Sequence, residues 1–520
     1  MRGILRLGLM MLLAAAAGVG IAWGEWKEYA PSTPGAITWQ YERIGTTNTC
    51  RIKPKDIATI QDKVTIPDQV GSIKVVEIAK EAFKDCSKLT EVSISVKTIG
   101  GYAFYGCRGL TAVNISEGVK TIGDYAFDEC SELAAVDIPN SVETIGRGAF
   151  YGCEKLTKMS IPSSVRSIGN YAFSHCTGLT AFEVDAKNTS YSQDGGVIFT
   201  KDRNTLVSYP GGRKGVYEIP GSVTVIVAGA FSGCDSLTAV TIPSSVTAIW
   251  GWTFANCTGL TAVTIPDGMT VIGLFVFQGC NKLKEVTIPG SVKTIGESAF
   301  QGCEGLNTVY VYRSNDQEFT VDSTAFKGID PQATLYVRPG MKAKIKDKPW
   351  RKNKFTNIVE FCVVTFNANG GTPASDVKIV EEGKTATAPT GLTKNGYTLV
   401  EWQLGGAKYD FSTPVTKDIT LVAKWKKKEE STPNNPETAV ESVQLAGVRV
   451  LRNPVGEALE LEGMERAAQV EVYSVVGARV HAEALRGEPR VVIDAQGWAS
   501  GVYVVKVEAS DGEKTLRVVK

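Results

Sequence analysis

Apolar residues recur along the first two-thirds of the chain with a long, fixed period. The anchors are Phe83, Phe104, Phe127, Phe150, Phe173, Phe231, Phe254, Phe277 and Phe300, mostly 23 residues apart, with one step of 21 and one of 58. Each Phe is followed by a Cys at the third position and a Leu at the sixth, and most are preceded by an Ile at the fifth, from Ile99 to Ile295. Pairs such as Val136 and Ile138, or Val263 and Ile265, then alternate with the period of a strand. Pro139, Pro162, Pro243, Pro266 and Pro289 follow at the point where a strand must stop, since proline offers no N–H to a ladder. Each period therefore predicts one coil with a short strand and a tight return. A coil this small cannot bury its apolar side alone, so the pattern predicts a cooperatively folded solenoid.

The register resembles the BspA-type leucine-rich repeats of bacterial surface proteins. The shared pattern is I-G-x-x-A-F-x-x-C-x-x-L-x-x-V-x-I-P, found here as Ile145 to Pro162 with Met159 in the Val slot. The resemblance spans about 300 residues of the 520, and it implies an exported adhesin or interaction protein.

The organisation that follows is mostly β, with short turns and helices. Residues 1–24 read as a signal peptide: Arg2 and Arg6, an apolar run from Leu7 to Ala22, then small residues at Ala22-Trp23-Gly24. Residues 25–62 are expected to cap the open N-terminal end of the core, and residues 63–360 to form the leucine-rich-repeat solenoid. Near 185–215 the long step holds Val197-Ile198-Phe199 and Leu206 to Tyr209 around a polar KDRNT, predicting a hairpin insertion. A basic stretch, Met341 to Phe355, predicts a helical C-terminal cap. Residues 361–425 carry short strands and Gly/Asn/Pro turns. They resemble the Listeria–Bacteroides repeat (the internalin-type B repeat) at Val364 to Gly371, Gly396-Tyr397, Trp402 and Ala423-Lys424-Trp425. That resemblance implies a β-grasp-like spacer or weakly adhesive module. Residues 426–442 read as a linker. Residues 443–520 predict a small β-sandwich. They resemble the C-terminal sorting domain of the type IX (Por) secretion route at Asn453-Pro454-Val455, Val470 to Ser474, Gly477 and Gly501 to Val507, with Trp498 where a Leu is usual. The implied partner is the type IX machinery, acting through residues 443–520. The implied location is the cell surface or the exterior, in a Bacteroidetes-type source.

Charge is nearly balanced, 56 Lys+Arg against 55 Asp+Glu, which argues against a nucleic-acid partner. After signal removal no stretch is long and apolar enough for a membrane span. The ladder cysteines Cys86, Cys107, Cys130, Cys153, Cys176, Cys234, Cys257, Cys280 and Cys303 share one phase and are expected to be buried free thiols rather than disulfides. Cys50 and Cys362 lie outside it and are left open. His175 adjoins Cys176, but the ladder phase turns that thiol inward. With only two His, no HExxH and no phosphate-binding loop, no catalytic, metal or cofactor site is expected.

One candidate surface stands out. Aromatics concentrate two residues before Phe, at Tyr102, Tyr125, Tyr171, Trp252 and Phe275, while Trp250 and Leu274 stand where glycine is usual. Stacking neighbouring coils would gather Trp250, Trp252, Leu274 and Phe275 on one edge as a partner-binding site for host or bacterial surface or matrix proteins. The alternative is a structural or assembly protein of the cell envelope with no host ligand.

Overall fold

The computed structural model describes residues 25–32, 36–313, 319–345 and 355–428, and most of 449–519. The signal-peptide reading of residues 1–24, the linker from 429 onward, residues 346–354 of the basic cap, and Asn453, Pro454, Val455, Gly477 and Gly501 lie outside the described residues. Residues 1–426 form one compact unit and residues 427–520 another.

In the first unit the chain winds into stacked coils with two parallel strand ladders. One ladder uses two-residue strands, Thr98–Ile99, Thr121–Ile122, Thr144–Ile145 and Ser167–Ile168, in register one period apart. The other uses the longer strands Leu89–Ile94, Ala112–Ile115 and Ala135–Val136. Most inward residues of these strands are buried, with Ile115 and Ile168 half-buried, and the outward ones, such as Glu91 and Asn114, are exposed or half-buried. The phenylalanines face inward in two stacks, one on each side of the insertion. Ring centroids from Phe83 to Phe173 are 5.0 to 5.8 Å apart. From Phe231 through Phe300 to Phe326 they are 4.7 to 5.3 Å apart. Trp39 lies edge-on against Phe83 at 6.1 Å and covers the first ring.

All eleven cysteines are free and buried. Seven ladder thiols also do something their phase alone does not reveal. Cys107, Cys130, Cys153, Cys176, Cys257, Cys280 and Cys303 each donate to the carbonyl of the Phe one coil earlier, at 3.0–3.3 Å. A side chain of this size fills the space beneath the turn and supplies a weak donor there.

The insertion is not a protrusion. Val197–Thr200 pairs antiparallel with both Tyr191–Asp194 and Thr205–Ser208. Its residues divide between two cores: Ile198 and Val207 join the N-terminal one, Val197, Phe199 and Leu206 the C-terminal one. Tyr209 then takes a phenylalanine's place, stacked on Phe231 at 4.9 Å, with its N–H on the Ala230 carbonyl. The turn of the Phe173 coil meets that of the Phe231 coil directly, His175 N–H to the Ser232 carbonyl at 2.9 Å.

Past the last coils, one strand, Asn357–Asn367, runs across the junction into the second module. There Cys362, Val364, Phe366, Trp402, Leu421 and Ala423 form a separate small core. In the second unit, Ala458–Glu462 pairs with Arg490–Asp494 in one sheet, and Gln469–Ser474 pairs with Arg479–Ala484 and Val502–Ala509 in another. Leu459, Leu461, Val470, Val472, Val491, Ile493, Val505 and Val507 are buried in one core with contributions from both sheets.

Candidate functional site

The aromatic position two residues before Phe is set by backbone geometry. Glu81, Tyr102, Tyr125, Gly148, Tyr171, Gly229, Trp252, Phe275 and Ser298 all occupy it, and all have φ between 52° and 74°. This is the left-handed region, where glycine is free and other residues lose roughly 1–2 kcal/mol. The rings that accept this cost lie along the edge of the array. Tyr102 stacks on Tyr125 at 4.9 Å. Tyr125 and Tyr171 overlie Gly148 and Gly229, where an added Cβ would fall 2.3 and 2.0 Å from the rings. Tyr171 also meets Trp252 edge-on at 6.1 Å and donates from its hydroxyl to the Gly251 carbonyl at 3.3 Å. Trp252 stacks on Phe275 at 4.6 Å with planes 4° apart. The tyrosines therefore pack over neighbouring turns.

The Trp and Leu residues do less packing. Trp250 is 55% exposed, Leu274 39% and Trp252 38%; Phe275 is half-buried. The strand register corrects one alignment. Ile249 pairs with Ile272, so Gly273 is the partner position of Trp250, and Leu274 aligns with Gly251. That slot carries Gly101, Asp124, Arg147, Asn170, Ala228 and Glu297 in other coils. Only Trp250 of the two stands where glycine is usual, with its ring lying against Gly273.

The patch is wider than the four residues picked out by sequence. Val225 to Gly229, Ala248 to Trp252 and Val271 to Phe275 read VIVAG, AIWGW and VIGLF. Corresponding segments elsewhere read TIGGY, TIGDY, TIGRG, SIGNY and TIGES. Three consecutive coils thus carry neither a charge nor a polar side chain across this corner. Val225, on the outward side of its strand, is 50% exposed, and Ala248 and Val271 beside it are half-buried. Reading the same five-residue segment down successive coils would have found them.

No arrangement for covalent chemistry accompanies this surface. His175 sits in a turn at φ 60°, its ring 4.9 Å from Tyr151, and burial lowers its pKa. Cys176 bonds into the core instead, and burial pushes its thiol up to about 12. Among the described residues no cluster of His, Cys, Asp and Glu suits a metal ion, and no helix is long and apolar enough to cross a membrane.

Comparison with known proteins agrees with this architecture. Residues 61–195 and 216–330 match the family model for the BspA type leucine rich repeat region, in 6 copies. Residues 363–424 match the Listeria-Bacteroides repeat domain, and residues 450–520 the secretion system C-terminal sorting domain. A leucine-rich repeat protein from Eubacterium ventriosum is similar at 26% identity and TM-score 0.50, over 60% of this chain and 85% of its own. The pneumococcal vaccine antigen PcpA gives 21% identity and TM-score 0.49, over 65% and 98%. A leucine rich cell surface protein from Faecalibacterium prausnitzii gives 27% and 0.43, over 63% and 97%. No curated protein matches the chain. The matched families and neighbours are repeat proteins rather than enzymes. The sorting domain marks the chain for type IX secretion to the cell surface or the exterior.

Proposed function

We propose that this leucine-rich-repeat surface protein, exported by way of its C-terminal sorting domain, works without catalysis as an adhesin. It holds a protein on host or neighbouring cells through the uncharged corner of the coils at Phe231, Phe254 and Phe277. The observation that carries this reading is the contiguous exposure of Val225, Trp250, Trp252 and Leu274 in coils where other repeats place charged or polar residues. Exposed apolar surface of this kind is costly to leave in water and marks interaction sites.

One face each of Trp252 and Phe275 is taken up by their mutual stack, and Trp250 lies against Gly273. The area left exposed is uncharged ring and aliphatic carbon, which side chains of a protein partner can cover.

Purified residues 25–425, presented to matrix proteins, glycans and whole cells, test the reading. Saturable binding to a protein ligand, little changed by added salt because the corner of these three coils itself carries no charge, is the expected result. Binding to glycans alone, or binding that falls steeply with salt, would place the ligand elsewhere. Absence of any ligand would favour the envelope-assembly role.

A further inference from the structure

The strand that closes the end of the coil array runs on into the second module. Within the unbroken strand Asn357–Asn367, the first four residues extend the parallel ladder of the coils, from Thr334 opposite Asn357 to Val337 opposite Glu360. The remaining seven pair antiparallel with Ser375–Glu381, and four of them also pair parallel with Ile419–Lys427. No residue separates the two roles. The Asn357 side chain adds a bond to the Thr334 hydroxyl at 2.8 Å.

A charge is buried where the roles meet. Arg338, at the end of the last coil strand, is 7% exposed. Its guanidinium donates to the Phe361 carbonyl at 3.2 Å, pairs with Asp418 of the module, and lies 4.9 Å over the Phe361 ring. The Asp418 carboxylate also accepts the Val363 N–H at 2.7 Å. Phe361 is fully buried, edge-on to Tyr310 at 5.7 Å and to Tyr312 at 5.1 Å, both from the coil before. Phe355 meanwhile meets Phe326, the last ring of the stack, edge-on at 5.4 Å. A solenoid end leaves strand N–H and C=O groups and a core face open unless something covers them. Here the covering strand runs on into the module, and pulling the module away would break both Arg338 bonds and uncover the Phe361 ring and the tyrosines against it.

We infer that residues 355–427 together form the terminal cap of the coil array, and that cap and final coils open as one unit rather than as separately folding domains. The test is hydrogen exchange of the full chain under rising denaturant, read separately in peptides covering Thr334–Val337 and Tyr397–Leu404. In the native protein both segments lose protection at one denaturant midpoint. Arg338→Ala and Asp418→Asn accelerate exchange in both by about tenfold or more, while Lys408→Ala, at an exposed module position, changes neither. A module that opens at a lower midpoint while Thr334–Val337 stays protected overturns the inference, as does an Arg338→Ala effect confined to the module. Should either variant fail to fold, the comparison of midpoints in the native chain still decides.

Discussion

Replacing Trp252 and Phe275 together by glycine separates a binding surface from a packing one. Glycine is the informative choice because Gly148 and Gly229 already occupy the same turn position at positive φ. The stacked pair contributes roughly 0.5–1.5 kcal/mol beyond its area. Their partial burial adds roughly 1–2 kcal/mol each, against roughly 1.5–3 kcal/mol for a ring removed entirely from water. Opposing this, glycine releases the left-handed strain of roughly 1–2 kcal/mol at each site and returns up to about 1 kcal/mol of that as unfolded-chain entropy. The net loss is roughly 1–4 kcal/mol, which in a unit of this length lowers Tm by less than about 10 °C. If the rings are hot spots, removing both costs at least about 2 kcal/mol of affinity, or about thirtyfold in Kd. Phe254→Ala is the contrast. Phe254 is fully buried between Phe231 and Phe277, so its loss costs roughly 3–5 kcal/mol of stability and leaves the binding of folded protein unchanged. Melting followed by circular dichroism, with binding to cells or a captured matrix protein measured below every Tm, gives both numbers. Unaltered binding by the folded double variant refutes the assignment.

The ladder thiols should resist alkylation in the native protein and all react once it is denatured without reductant; release of fewer than half of the nine would mean disulfides. Removing Val443 to Lys520 should leave the protein in the periplasm of its native host, and normal surface labelling of the truncated chain would contradict the sorting role. Asp128 is buried with Oδ1 unpartnered, and burial followed by the nearby Glu129 charge pushes its carboxyl up to about 7. The folded state therefore holds this proton more tightly than the unfolded chain, and stability should rise as pH falls from about 7 towards 4. Asp128→Asn should melt higher than the native protein at pH 8, with the gap narrowing across that window; a gap independent of pH would show that the carboxyl is not the cause.

The repeat was legible in the sequence because each coil spends one inward position on each of Phe, Cys and Leu, and a fixed phase survives any change in the loops. The alternation that exposes Asn114 and buries Val113 followed from the strand period alone. Other features depend on what lies one coil away. The thiol-to-carbonyl bonds need the vertical offset between coils. The two-sided burial of Ile198 and Phe199 needs the insertion to lie within the stack, which a polar turn does not indicate. Leu274 was aligned one position off because glycine flanks that turn on more than one side, and strand pairing, not spacing, fixes the register. Composition changes near residue 361, yet hydrogen bonding does not, so a reading by composition divides what a single strand joins. The left-handed turn was accessible, since Gly148 and Gly229 share a phase with Tyr125 and Trp252.

That shared strand has a mechanical consequence. Suppose the protein is held beyond Lys427 while a ligand pulls on the coils. Tension then enters through the C-terminal end of Ile419–Lys427 and leaves through the N-terminal end of Asn357–Asn367. The two strands run parallel, so the pull slides one along the other and loads their hydrogen bonds together instead of peeling them singly. Resistance to such a pull is set by the rate of rupture rather than by equilibrium stability. The junction is therefore placed to carry sustained drag between a surface and whatever the coils grip.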